Sequence, residues 1–146
     1  MVGSLTGVDD VPRAVLTVAS LARGLERVLP DMSLAQYRIL TMIGTSPQRA
    51  GRLAERAALS KSSLTGLLDG LTARGWVRRI EVEGDRRGVG LELTAAGSAA
   101  REAAEHALVE RMEHYLSFVN ERDRGRALAG LTVVHHALDA AWEARR

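Results

Sequence analysis

The run Ser60-Lys61-Ser62-Ser63-Leu64-Thr65-Gly66 places four hydroxyls and the only lysine of the chain within seven residues. Hydroxyls on such short side chains donate to or accept from base edges. An ammonium beside a helix start suits a phosphate, because the helix dipole is positive there. A second set, Asp85-Arg86-Arg87, lies in the charged run from Glu83 to Gly88. Guanidinium groups at a turn suit phosphates or a narrow minor groove. A third set, His106, Glu110 and His114, recurs every four residues, in line with Glu102. On one helical face such a row can bind zinc or another divalent ion, although rows of this kind are more often a solvated face of acids and histidines.

Other chemistries find no support. There is no cysteine, which excludes disulfides, zinc–thiolate sites and thiol-based redox sensing. No Ser/His/Asp arrangement, phosphate-cradling glycine loop or pair of buried carboxylates stands out, so the chain reads as a non-enzyme with no cofactor. It also lacks an uninterrupted apolar run long enough to cross a membrane, and its first residues do not read as a secretory signal, so a cytoplasmic location is expected.

These groups need a scaffold. A chain of 146 residues fits one domain, and 46% apolar with 26% charged residues is an ordinary globular balance. With only 3% aromatics, the core must be mainly aliphatic, which favours helices packed on helices. The net charge is only +2, so position matters more than total. From Pro47 to Thr94 nine basic residues (Arg49, Arg52, Arg56, Lys61, Arg74, Arg78, Arg79, Arg86, Arg87) face six acids (Glu55, Asp69, Glu81, Glu83, Asp85, Glu92). From Ala95 to Glu121 the balance reverses, with Arg101 and Arg111 against Glu102, Glu105, Glu110, Glu113 and Glu121.

The pattern predicts a first helix from Asp10 towards Pro30, with apolar residues from Val11 to Leu29 at helical spacing. Ser33-Leu-Ala-Gln36 is a capping box that opens a second helix, which ends at Gly44. A short third helix covers about 50–58, burying Leu53, Ala54 and Ala57. Ser60 caps a fourth, which runs to about Arg74 with Leu64, Leu67, Leu68 and Leu71 as one stripe and Gly75 as its stop. The period then changes to two in Trp76–Val82 and Val89–Leu93, a hairpin whose tip carries the arginines. A long helix follows from Thr94 to about Val119, then a break at Asn120 and a last helix to near Arg145.

Helix, helix, short helix, tight turn, helix and hairpin is the order of a winged helix-turn-helix. Leu53, Ala54 and Leu59 are expected to pack on the Leu64/Leu68/Leu71 stripe. At 100° per residue, Ser62, Thr65, Gly66 and Asp69 then face away, free to enter a major groove. Gly66 and Gly70 each cost about 1 kcal/mol against alanine inside a helix. Gly66 is explained either by close approach of DNA or by tight packing on a neighbouring helix.

The stretch Met32–Gly97 resembles the MarR family of bacterial regulators. Ser33-Leu-Ala-Gln36-Tyr37-Arg-Ile-Leu40 is similar to the family's second-helix entry. Leu53–Ser60 with Leu71-Thr-Ala-Arg74-Gly75 is similar to its helix-turn-helix. Asp85-Arg-Arg87, followed by Leu91-Glu-Leu93-Thr94-Ala-Ala-Gly97, resembles its wing, with an Asp-x-Arg element and a Leu-Thr-x-x-Gly exit. Where many relatives carry arginine or another long polar residue, this chain has Gly66 or Gly70, which shifts expected base contacts towards Ser62, Ser63, Thr65 and the wing.

The resemblance implies a mainly α fold with a small two- to three-stranded β wing, built as a winged helix-turn-helix plus a helical dimerisation region. The DNA-binding part would span about 32–97, and the dimerisation part about 10–30 and 98–145. The long apolar-striped outer helices agree, since they exceed what one winged unit can cover. The expected function is a sequence-specific double-stranded DNA-binding transcriptional regulator: a homodimeric repressor on a pseudo-palindromic operator, released by a small aromatic or phenolic ligand. The alternative is a winged-helix protein-interaction module without specific DNA binding. Ser60, Lys61, Ser62, Ser63, Thr65, Gly66, Arg74, Arg78, Asp85, Arg86 and Arg87 are the expected DNA-binding residues. Tyr37 and Arg38 are the expected ligand liners, in a pocket near the first and second helices and the start of the fifth.

Overall fold

The structure is a computed structural model, and it describes residues 10–44, 48–81 and 89–144. Six helices and a three-stranded antiparallel sheet run in the order α1 (Asp10–Glu26), α2 (Leu34–Ile43), β1 (Gln48–Arg49), α3 (Ala50–Ala57), α4 (Lys61–Ala73), β2 (Val77–Glu81), β3 (Val89–Leu93), α5 (Ala95–Leu116) and α6 (Glu121–Glu143). The mainly helical class with a small β wing is as the sequence suggested.

Local chemistry accounts for the helix boundaries. At α2, the Ser33 hydroxyl accepts from the Gln36 backbone N–H at 3.1 Å, while Gln36 Oε1 accepts from the Ser33 N–H at 2.9 Å, completing the capping box. Ser60, Thr94 and Asn120 cap α4, α5 and α6 by the same side-chain-to-backbone bond. Helix α4 ends in a Schellman motif: Gly75 takes φ +70°, its N–H donates to Thr72 and the Trp76 N–H to Leu71. Helix α3 ends the same way with Ala58 at φ +53°, its N–H donating to Glu55 and that of Leu59 to Ala54. Helix α1 stops at Glu26, short of the expected Pro30, and the chain turns through Arg27–Leu29 by i→i−3 and i→i−4 bonds.

One core joins the helix-turn-helix to the sheet. Ile39, Leu40 and Ile43 of α2, Leu53, Ala54 and Ala57 of α3, Leu64, Leu68 and Leu71 of α4, and Val77 and Leu91 of the sheet are buried together, with Leu59 and Leu67 partly buried against them. At about 25 cal/mol per Å2 of apolar surface, each fully covered leucine or isoleucine stabilises by about 2 kcal/mol. Strand β3 is central, in the order β1-β3-β2. The β2–β3 register runs from Val77 opposite Leu93 to Glu81 opposite Val89. Strand β1, which the sequence did not single out, pairs Gln48 with Leu91 and Arg49 with Gly90, so the wing has its third strand.

The outer helices are different. Ala104, Leu108 and Leu116 anchor α5, but no described residue of α1 or α6 is buried.

Candidate nucleic-acid interface

Because Leu64, Leu68 and Leu71 hold α4 against the core, its opposite side faces outward: Lys61, Ser62, Ser63, Thr65, Gly66 and Asp69 are all exposed. The first turn is organised by Ser60. Its Oγ accepts from the Ser63 N–H at 3.1 Å and lies 2.8 Å and 3.0 Å from the hydroxyls of Ser63 and Ser62. Ser60 therefore acts first as the cap, and Ser62 and Ser63 are the hydroxyls presented outward. Thr65 donates its hydroxyl proton back to the Lys61 carbonyl at 2.8 Å, which leaves oxygen lone pairs and a methyl group for a partner.

Gly66 has open space where a side chain would stand: a β-carbon there meets nothing within 4 Å. Packing within the described part of the chain therefore does not explain this glycine. Gly70 differs, since a β-carbon there would come into ordinary contact with Gln36 Nε2 at 3.7 Å.

The sheet carries further cations, one of them beside α4. Arg78 stands directly opposite Glu92 and bonds it, Nε to Oε2 at 2.8 Å and Nη2 to Oε2 at 2.6 Å. Its neighbour Arg79 points to the other sheet face by the two-residue period and lies 3.7 Å from Asp69 of α4. Arg79 was not among the expected site residues. The alternation of β2 was the signal that could have separated it from Arg78. Arg74, expected at the interface, is engaged elsewhere: its guanidinium donates to the Asp31 carbonyl and lies over the Trp76 ring, 4.8 Å from its centroid. It braces the end of α4. Asp85, Arg86 and Arg87 lie outside the described residues, although the strands leading to them are paired up to Glu81 and Val89.

The metal candidates do not converge. Each four-residue step climbs about 6 Å and drifts about 40°, so a row at i, i+4, i+8 cannot close three ligands around one ion. Among the described residues, no three of His, Cys, Asp or Glu are placed to hold a metal, and the ring of His114 sits edge-on to Phe118 at 5.2 Å. Among the described residues, the His106/Glu110/His114 row is a helix face that brings no three ligands to one point.

The two expected ligand liners part company. Arg38 lines a crevice of about 700 Å3 between α2, α3 and the last turns of α6, with Met42, Ala57, Leu138 and Trp142. Tyr37 is half-buried and lies outside that lining. This crevice adjoins α2, one of the expected elements, but its lining includes neither α1 nor the start of α5.

The family model described as "MarR family" matches residues 31–88, the span from the entry of α2 to just before β3. The uncharacterized HTH-type transcriptional regulator YfiV of Bacillus subtilis (strain 168) is 29% identical over 128 residues, covering 87% of this chain and 80% of that protein. The multiple antibiotic resistance protein MarR of Escherichia coli (strain K12) is 33% identical over 85 residues, 58% of each chain. Over this span the chain is similar to the MarR family. These relatives are transcriptional regulators and not enzymes, which supports a DNA-binding regulator.

Solved structures extend the MarR-family likeness to the whole fold. The regulator BldR from Sulfolobus solfataricus superposes with a TM-score of 0.73 at 27% identity, over 91% of this chain and 99% of that one. Two others share the fold at lower identity. A mutant of MarR from E. coli complexed with operator DNA has a TM-score of 0.71 at 23% identity, over 88% of this chain and 99% of that one. NadR in complex with 4-hydroxyphenylacetate has 0.72 at 22%, over 94% and 98%.

Proposed function

We propose that this protein is a sequence-specific repressor that binds a pseudo-palindromic duplex as a homodimer and is released by a small aromatic or phenolic ligand. The observation that carries the DNA-binding part is the outward face of α4: Ser62, Ser63 and Thr65 exposed around a glycine with nothing in front of it, and Lys61 at the helix start. That face offers donors, acceptors and a methyl group to base edges, and lets the backbone come close. The relative solved with operator DNA supports the same use of the fold.

The dimer is supported by unpartnered apolar surface. Val11, Val15, Leu16 and Val18 of α1, Phe118 and Val119 after α5, and Leu131, Val133, Val134 and Leu138 of α6 are all exposed. Exposed apolar side chains in this number favour an association site. Residues 10–30 and 98–145 form the dimerisation part in this reading, and 32–97 the DNA-binding part. Release by a phenolic ligand is supported by NadR, solved with 4-hydroxyphenylacetate.

Binding-site selection from random duplexes tests the reading. It should yield inverted half-sites with centres about 10–10.5 base pairs apart. Adding aromatic acids to the selected complex should release DNA, and sedimentation should give a dimer. A pool that yields no enriched sequence would favour the protein-interaction module.

A further inference from the structure

Asp69 is a carboxylate on a face that, in the reading above, meets a polyanion. It stands one turn beyond Thr65 and three residues beyond Gly66, so all three share one side of α4. Its side chain is 65% exposed, and Arg79 of β2 lies 3.7 Å away, itself 58% exposed. Two independent features make a carboxylate useful here. The open space at Gly66 removes the side chain that would hold DNA away from a residue as short as aspartate. The Arg79 guanidinium, at ion-pair distance, offsets part of the negative charge and draws the carboxylate to its side.

A carboxylate only accepts hydrogen bonds. In the major groove, cytosine offers the N4 amino donor that suits it, whereas guanine presents acceptors and adenine sets an N7 acceptor beside its amino group. We propose that Asp69 reads a cytosine amino group in each half-site, with Arg79 as the residue that positions it. This rests on the DNA-binding reading and adds to it a specificity-determining pair.

Selection from random duplexes, run in parallel on the full-length protein and the variants Asp69→Ala, Asp69→Asn and Arg79→Ala, tests the assignment. The unmodified protein should enrich cytosine at one position of each half-site. Asp69→Ala should lose that preference and keep the others. Asp69→Asn should shift it to adenine, which asparagine contacts bidentately. Replacing the cytosine in the selected duplex should weaken the unmodified protein roughly tenfold and Asp69→Ala not at all. Arg79→Ala should flatten the cytosine preference without lowering the melting temperature, and Arg79→Lys should restore part of it; a merely structural role for Arg79 would leave base preference alone. If Asp69→Ala returns the full original consensus, the assignment is wrong and the DNA-binding reading stands. If the unmodified protein enriches nothing, both fall.

Discussion

The α5 backbone at Gly97 rests against the carbonyl of Trp76, so close that a β-carbon on Gly97 would overlap the Trp76 carbonyl oxygen. Thr94 knits the same junction: its N–H donates to Trp76 at 3.1 Å, its hydroxyl donates to the Gly75 carbonyl at 2.6 Å, and the same oxygen accepts from the Gly97 N–H at 3.0 Å. The start of the long helix is thereby fixed to the turn that leaves α4.

Gly97→Ala should therefore destabilise the fold by about 3 kcal/mol, at the upper end of overpacking effects, because the obstacle is backbone and cannot rotate away. Denaturant unfolding measures it. A loss under about 0.5 kcal/mol would mean that the two elements are free to separate.

Ala58 closes α3 in a left-handed conformation, φ +53°, with no glycine to make it cheap. Such a backbone costs an L-residue about 1–2 kcal/mol, and glycine returns part of that through its freer unfolded chain. Ala58→Gly should be more stable by about 0.5–1 kcal/mol in the same unfolding experiment. A less stable variant would contradict the strain.

Gly66→Ala separates stability from function. With nothing within 4 Å of the new methyl group, the variant should gain up to about 1 kcal/mol from helix propensity. Its affinity for the selected duplex should nevertheless fall, since the methyl group stands where DNA approaches. Equal or tighter binding would show that the glycine is not kept for that approach.

Glu113 of α5 and Arg124 of α6 form a two-bond pair, at 2.6 Å and 2.8 Å. The hydrogen bond from Arg124, opposed by some desolvation and aided by its charge, holds the Glu113 carboxyl below its ordinary range. A depressed carboxyl contributes stability that is fully present above its unfolded value and is lost as pH falls through the folded one. The melting-temperature gap between the protein and Glu113→Gln should thus be widest near neutral pH and close in strong acid. The gap should be small, because the Glu113 carboxylate is about half exposed to solvent. A gap unchanged by acid would assign it to another cause.

Much of this architecture could be read from the sequence because the determining features are local. Ser33 with Gln36, Ser60 before the leucine stripe, and Gly75 after it are caps whose chemistry spans three or four residues. The shift to alternation after Trp76 marked the strands. What could not be read depends on residues far apart or on conformations without a residue signature. Two residues, Gln48 and Arg49, are too short a strand to carry a pattern. Nothing marks Ala58 as left-handed. The contacts of Arg79 with Asp69 and of Arg74 with Asp31 join elements that only the fold brings together. The apolar spacing at Val28 and Leu29 continued past the point where the backbone turns. In the histidine row, angular spacing suggested a shared face, but rise along the helix keeps the ligands apart.

Ser62→Glu tests the central claim most directly. Ser62 is exposed in the first turn of α4, where a carboxylate favours the helix dipole, so the variant should melt at or slightly above the temperature of the unmodified protein. If that face lies against DNA, the same carboxylate meets phosphates and unreadable base edges, and affinity for the selected duplex at physiological salt should fall at least tenfold. Unchanged affinity in a fully folded variant would contradict the claim that the hydroxyl side of α4 is the surface that binds DNA.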